Sequence, residues 1–121
     1  MKKYTTNPVS NAVSRMIRIS SRKLSLVANL IYGMRVEEAR KQLMFSTRKK
    51  AAGEVKRCLD SAIANAENNH GLDIDRLRVK TITVGKAISL KRFMPRGRGK
   101  SSSICKKFSN LYITLEENLM V

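Results

Sequence analysis

The feature that most constrains this fold is a long basic segment lying between two short patterns of alternating apolar residues. From Arg76 to Leu115 the chain holds eleven Lys or Arg residues and no Asp or Glu. A period of two, typical of β-strands, runs from Leu77 to Gly85 and returns from Leu111 to Leu115. Between these patterns lie residues 86–108, with Pro95-Arg96-Gly97 as the turn signal at the middle. The order predicts one long antiparallel hairpin with an apolar base and a basic tip.

The alternation also predicts which side chains of the first of these strands share a face. One face receives Leu77, Val79, Thr81 and Thr83, and the other receives Arg78, Lys80, Ile82 and Val84. Beyond this base each arm has about ten residues, so the tip stands ~30 Å out at ~3.3 Å per residue. The apolar residues available to support the arms are few, namely Ile88, Leu90, Phe93, Met94 and Ile104.

An isolated two-stranded ribbon is marginally stable in water, so we expect a partner to hold this hairpin. The alternative is a basic loop that is disordered in the free protein and becomes ordered on its partner. For Phe93 and Met94, two interpretations stay open. The two side chains either contact a base or a surface, or pack against each other across the hairpin.

Positive charge is distributed unevenly along the 121 residues, whose formal net charge is +16. Residues 1–36 hold seven basic and no acidic residues, and residues 37–75 hold seven of each. Residues 76–121 hold eleven basic and two acidic residues. Segments as cationic as the two outer ones repel themselves unless a polyanion supplies counter-charge, which indicates nucleic acid. Because aromatic residues make up 5% of the chain, we expect binding by phosphate contact and shape rather than by base stacking.

Catalysis, metal binding and membrane insertion find no support in the sequence. His70 is the one histidine, and Cys58 and Cys105 form no Cys-x-x-Cys pattern, so we expect no cofactor, no metal and no small-molecule substrate. Asp73 and Asp75 are interpreted as loop formers. No apolar run reaches the ~20 residues that span a bilayer, and the first residues lack a secretory signal, so we expect a cytoplasmic protein without a membrane partner.

Three helices are predicted before the hairpin, following a short strand over residues 12–19. Ser20-Ser21 caps the first helix and Gly33 ends it, while the second runs from Val36 to about Leu43. The third helix, from about Thr47 to Asn69, has one apolar stripe formed by Ala51, Ala52, Val55, Cys58, Leu59, Ala62, Ile63 and Ala66. Small residues in its later turns predict that another element packs close to it.

This order of elements predicts an α+β fold with three helices packed on a small three-stranded antiparallel sheet. The long hairpin protrudes from that sheet. We interpret the whole chain, residues 1–121, as a single domain. Its globular body comprises about residues 11–85 and 108–117, and its extended hairpin about residues 86–107.

Two of the helix starts carry cations where the helix dipole disfavours them. Arg22 and Lys23 follow the first cap, and Lys49 and Lys50, after Arg48, open the third helix. Unpaired N–H groups of a first turn, together with basic side chains, make an anion site that suits phosphate. The alternative is that these surface cations simply tolerate a cost of a few tenths of a kcal/mol each.

Four blocks of the sequence closely resemble a known family, ribosomal protein twenty-two of the bacterial large subunit. They are Ile17–Lys23, Leu26-Val27, Ser61–Gly71 and Leu90–Gly99. The resemblance runs from about residue 11 to residue 116. It has three departures: Ser21 stands where Pro is usual, Met94 where a basic residue is common, and Gly97 where Ala is common.

The resemblance implies a structural protein, not an enzyme, that binds large-subunit rRNA and bridges RNA domains during assembly. It also implies that the hairpin tip lines the peptide exit tunnel, beside ribosomal protein four and the nascent peptide, and affects macrolides indirectly. Carried over by position, the tunnel-facing tip comprises Lys91, Arg92, Phe93, Met94, Pro95, Arg96 and Gly97. The host compartment is then the cytoplasm, with an organellar ribosome left open.

Charge and resemblance together select the candidate rRNA-binding residues. They are Arg15, Arg18, Arg22, Lys23, Lys49, Lys50, Arg78, Lys80, Lys86, Lys91, Arg92, Arg96, Arg98, Lys100, Lys106 and Lys107. Their arginines suit bidentate phosphate contacts, and their lysines act as point charges. A competing hypothesis is a DNA-binding protein that inserts the hairpin into a groove. A third, an RNA-processing enzyme, requires a catalytic cluster that the sequence does not contain.

Overall fold

Three strands and three helices make up the computed structural model, which describes residues 8–117 without the side chains of residues 96 and 100–102. The elements in chain order are β1 (Val9–Ile17), α1 (Ser21–Leu30), α2 (Val36–Met44), α3 (Lys49–His70), a 3₁₀ turn (Ile74–Arg76), β2 (Leu77–Arg96) and β3 (Lys100–Glu117). The strands form one antiparallel sheet in the order β1-β3-β2. The predicted α+β fold is therefore confirmed. Both ends of the predicted domain, residues 1–7 and 118–121, lie outside the described residues.

The core lies between one face of the sheet and two helices. Helix α1 packs on β2 and β3, α3 packs on β1 and β3, and α2 packs on α3. All eight residues of the predicted α3 stripe are buried. The expected close packing on its small residues is confirmed, because the Ser10 hydroxyl of β1 donates a hydrogen bond to the Ala62 carbonyl at 3.0 Å.

The predicted assignment of faces along β2 is wrong beyond Val79. Val79 pairs with Leu115 and Thr81 pairs with Thr114, so Lys80 is an extra residue without its own partner on β3. Such a bulge reverses the alternation that follows it. Ile82 therefore joins Leu77 and Val79 in the core, while Thr81 and Thr83 are exposed.

Local hydrogen bonds move several predicted boundaries. Strand β1 ends at Ile17 rather than residue 19, because the Ile19 N–H donates to the Ile17 carbonyl at 2.8 Å and turns the chain. Helix α1 ends at Leu30, before Gly33. Helix α3 begins at Lys49 rather than Thr47, since the Arg48 N–H donates to the Ser46 hydroxyl in a preceding turn.

The hairpin is paired without interruption from Ser89 opposite Lys107 to Arg96 opposite Lys100, the last pair before the turn. The turn itself is Gly97–Gly99, two residues later than predicted, and Pro95 lies within β2 opposite Ser101. Arg98 and Gly99 supply the left-handed backbone, with φ of 65° and 71°. Among residues 86–108, no described side chain is buried, and Phe93 is 79% exposed.

Candidate nucleic-acid interface

A cleft of about 590 Å³ opens where α1, α3 and the hairpin base meet. Three separate segments form its walls. Residues 18–20 and Lys23 come from the start of α1, residues 48–51 from the start of α3, and residues 105–107 from β3. The two basic helix starts that the sequence singled out therefore face one shared space, together with basic residues of the hairpin.

Seven basic residues line this cleft, and all are exposed: Arg18, Lys23, Arg48, Lys49, Lys50, Lys106 and Lys107. None of the described residues lining it is acidic. Like charges converging on one concave surface create a strong positive potential, which concentrates anions there. The geometry thus favours a ligand with several closely spaced negative charges.

The backbone adds to this potential, because α1 and α3 both begin at the cleft. Neither helix has an acidic residue in its first turn, whereas α2, which begins elsewhere, has Glu37 and Glu38. At α1 the Ser20 hydroxyl caps the Lys23 N–H at 3.5 Å. Arg48, the residue before α3, makes no side-chain cap. Free N–H groups and helix dipoles at both starts favour bound anions.

The cleft contains six of the predicted binding residues, and the others lie elsewhere. Arg15 is exposed on β1, Arg22 is exposed on the first turn of α1 outside the cleft, and Lys86 lies at the hairpin base. Along the ribbon Lys91, Arg92 and Arg98 are exposed, and residues 96 and 100 form its final pair.

The predicted tip divides between a strand and a turn. Residues 91–96 belong to β2, and Gly97 opens the turn. Phe93 lies opposite Ser103 and Met94 opposite Ser102, so these two side chains point to opposite faces of the ribbon. The alternative in which they pack against each other across the hairpin is therefore wrong.

Arg78 and Lys80 have an anion within the chain. The Arg78 guanidinium donates to Glu116 Oε1 from Nε at 2.9 Å and from Nη2 at 2.6 Å, and Lys80 Nζ is 4.0 Å from Glu116 Oε2. Their role in RNA binding stays a prediction. Conversely, Arg48 lines the cleft although it was not selected as a candidate. Its position beside Lys49 and Lys50 was the available signal.

The remaining candidates for chemistry have structural explanations. Asp73 is confirmed as a loop former, since its carboxylate accepts the Asp75 N–H at 3.1 Å. Both cysteines are free; Cys105 is exposed at the cleft, while burial raises the pKa of the Cys58 thiol to about 11. Within residues 8–117, no group of three or more His, Cys, Asp or Glu side chains is arranged to hold a metal ion. No helix in that range is long and apolar enough to cross a membrane.

Comparison with known proteins supplies the family. The sequence model described as ribosomal protein L22p/L17e matches residues 12–116. The large ribosomal subunit protein uL22 of Rickettsia conorii is 58% identical over 108 residues, which cover 89% of this chain and 90% of that protein. The proteins of the same name from Rickettsia canadensis and Methylobacterium nodulans are 58% and 56% identical, with 90% and 84% of their lengths covered.

Fold and cleft define a basic α+β protein with the electrostatics of a polyanion-binding surface. The sequence comparison, which covers residues 12–116, assigns the chain to one family. The chain belongs to the ribosomal protein L22p/L17e family, and it is not an enzyme. The resemblance seen in its four sequence blocks is thereby confirmed.

Proposed function

We propose that this protein is a structural constituent of the large ribosomal subunit and binds its rRNA through the cationic cleft and the hairpin. The convergence of seven cations and two helix N-termini on one cleft carries the proposal. An RNA backbone places negative charges at regular short intervals, which suits a cleft with basic walls on three sides. Phosphate contacts of this kind release counterions and supply a large share of the binding free energy.

The exposed hairpin supports the same function. A ribbon without any described buried side chain gains little from its own packing, whereas RNA on both sides would neutralise its charge and shield its apolar residues. We infer that the hairpin penetrates between RNA domains and bridges them during assembly. Its turn and the preceding residues 91–96 would then reach the peptide exit tunnel, beside ribosomal protein four and the nascent peptide.

The separate basic residues have graded roles in this proposal. Those of the cleft hold the body on the RNA, and Lys91, Arg92 and Arg98 contact phosphates along the hairpin. Arg15, Arg22 and Lys86 extend the contact beyond the cleft. Arg78 and Lys80 contribute less, because the Glu116 carboxylate beside them offsets one of their two positive charges. The protein works in the cytoplasm as part of the ribosome, and any effect on macrolides is indirect, through the shape of the tunnel.

Salt-dependent binding of full-length protein to purified large-subunit rRNA tests the proposal. We compare Lys23→Gln/Lys49→Gln/Lys106→Gln in the cleft with Lys41→Gln/Lys56→Gln/Arg57→Gln outside it, so that both variants lose three charges. The cleft variant should reduce the slope of log K against log salt concentration by about three, about one for each lost phosphate contact. The control variant should change it by less than one.

Two results would contradict the proposal. One is an equal reduction of the slope of log K against log salt concentration in both variants, which would mean that net charge alone attracts the RNA. The other is binding to duplex DNA as tight as binding to rRNA at the same salt concentration, which would favour the groove-inserting alternative.

A further inference from the structure

Ser109 lies where the hairpin leaves the body, and it is fully buried, with 0% of its surface exposed. In the central strand β3 it pairs with Ile17 of β1 and with Lys86 of β2. Its hydroxyl donates a hydrogen bond to the Ile19 carbonyl at 2.6 Å. Ser109 therefore pairs with both flanking strands through its backbone, and with the loop before α1 through its side chain.

The sheet is irregular on both sides of this residue. β1 has one extra residue between Ser14 and Ile17, and β2 has one between Lys86 and Ser89. Bulges interrupt the ladder and bend the strands that contain them. The regular backbone pairing of the sheet therefore weakens at the level of Ser109, where the body gives way to the hairpin.

The Ile19 carbonyl belongs to neither a helix nor a strand, and a buried carbonyl needs a donor. Among the backbone and side chains that the structure describes, the Ser109 hydroxyl makes the one hydrogen bond between residues 18–20 and β3. Residues 18–20 form one wall of the cleft, and Lys106 and Lys107, just before Ser109 on β3, form another. This hydrogen bond thus joins the two walls.

We propose that Ser109 is a positioning residue that sets the spacing between the Arg18–Lys23 wall and the Lys106–Lys107 wall. It thereby determines how many phosphates the cleft contacts at once. This inference rests on the proposed rRNA-binding function. Ser109 touches no ligand itself, and it acts through the backbone of Ile19 and of β3.

Ser10 is a matched control. It is also buried, at 1% exposure, and its hydroxyl also donates to a backbone carbonyl, that of Ala62, but it does not line the cleft. Ser109→Ala and Ser10→Ala should lower Tm to a similar extent. Only Ser109→Ala should reduce the slope of log K against log salt for large-subunit rRNA, by about one to two. Ser109→Thr, which keeps the hydroxyl, should restore that slope.

An unchanged slope in Ser109→Ala, or an equal reduction in Ser10→Ala, would overturn the inference. If Ser109→Ala does not fold, Ser109→Thr and Ser109→Val take its place, since they share a shape and differ in the hydroxyl. If rRNA binding by the wild-type protein does not depend on salt concentration, the proposed function itself is refuted.

A second measurement needs no RNA. Spin labels on Arg18→Cys and on the exposed native Cys105 lie on the two walls, while Cys58 is buried. The distribution of distances between the labels should be narrow in the protein with no further substitution and in Ser10→Ala, and broad in Ser109→Ala. Equal widths in all three proteins would refute the positioning role, whatever the RNA measurements show.

Discussion

Arg78 and Glu116 are cross-strand partners whose side chains meet on the open face of the sheet. The Arg78 Nη2 atom is 2.6 Å from Glu116 Oε1, and Glu116 is only 6% exposed. The bulge at Lys80 brings a second cation of β2 to within 4.0 Å of the same carboxylate. One buried carboxylate therefore lies within 4.0 Å of two cations, and its single negative charge offsets one of their two positive charges.

Glu116→Gln should lower the free energy of unfolding by ~1–3 kcal/mol, because it removes the charge of a buried carboxylate that accepts two hydrogen bonds from Arg78. Glu117→Gln, at the adjacent and more exposed position, should cost less than ~0.5 kcal/mol. Urea unfolding of both variants measures the difference. Similar costs would show that the Arg78–Glu116 pair contributes no more than ordinary surface charge.

Replacing residues 88–107 with Asn-Gly should leave the body folded. None of their described side chains is buried, and Asn-Gly suits a two-residue hairpin turn. We expect Tm to stay within about 4 °C of the wild type, which corresponds to less than ~1 kcal/mol. Thermal unfolding followed by circular dichroism checks this result, and a much larger loss would mean that the ribbon stabilises the body.

Met16 and Val13 should respond in opposite ways to glycine. Both are on β1 and 48% exposed, but Met16 has a left-handed φ of 59° and donates its N–H to Asn110 Oδ1 at 3.1 Å. Met16→Gly should be neutral or stabilise by up to ~1 kcal/mol, since glycine removes the cost of that backbone conformation. Val13→Gly should destabilise by ~1 kcal/mol. Destabilisation of similar size in both variants would contradict the conclusion that Met16 is held in an unfavourable left-handed conformation.

The two cysteines should differ in reactivity. In the native protein a thiol reagent should modify exposed Cys105 quickly and Cys58 only on unfolding, and Cys105→Ser should abolish the fast reaction. Burial raises the pKa of Cys58 from 9.0 to about 11, so the folded state holds that proton more tightly than the unfolded state. Its contribution to stability is therefore complete below pH 9 and lost as the pH rises towards 11.

The free energy of unfolding should be measured at several pH values for the wild type and for Cys58→Ala. The difference between the two proteins isolates the contribution of Cys58, because lysine titration affects both alike. The wild-type advantage should decline above pH 9. A difference that stays constant to pH 11 would show that the Cys58 thiol ionises equally in both states.

Elements with a long, regular period were predictable because that period is a local property. The apolar stripe of α3 required only the 3.6-residue repeat, and its eight residues are all buried. Bulges have no comparable local signature. The extra residue at Lys80 made the side chains after Val79 lie on the faces opposite to those predicted. The prediction missed it because a single inserted residue is visible only when the partner strand is known.

The turn shows a related limit of local reasoning. Pro95 was interpreted as part of the turn, but proline also fits an extended strand on the edge of a sheet. The two left-handed residues, Arg98 and Gly99, place the turn later. A segment with two glycines offers more than one position for such a turn, and the pairing of Arg96 with Lys100 selects one.

The fold class, the acid-free hairpin, the excess of positive charge and the family could all be inferred from the residues alone, because these follow from composition, periodicity and extended similarity. Which cations act together depends on how the elements pack. Packing brought residues 18–20, Lys23, residues 48–51 and residues 105–107 to one cleft, and it paired Arg78 with Glu116, 38 positions away. The reason is physical: electrostatic potential depends on distance in space, and charges far apart in the chain become neighbours only when the sheet and helices pack.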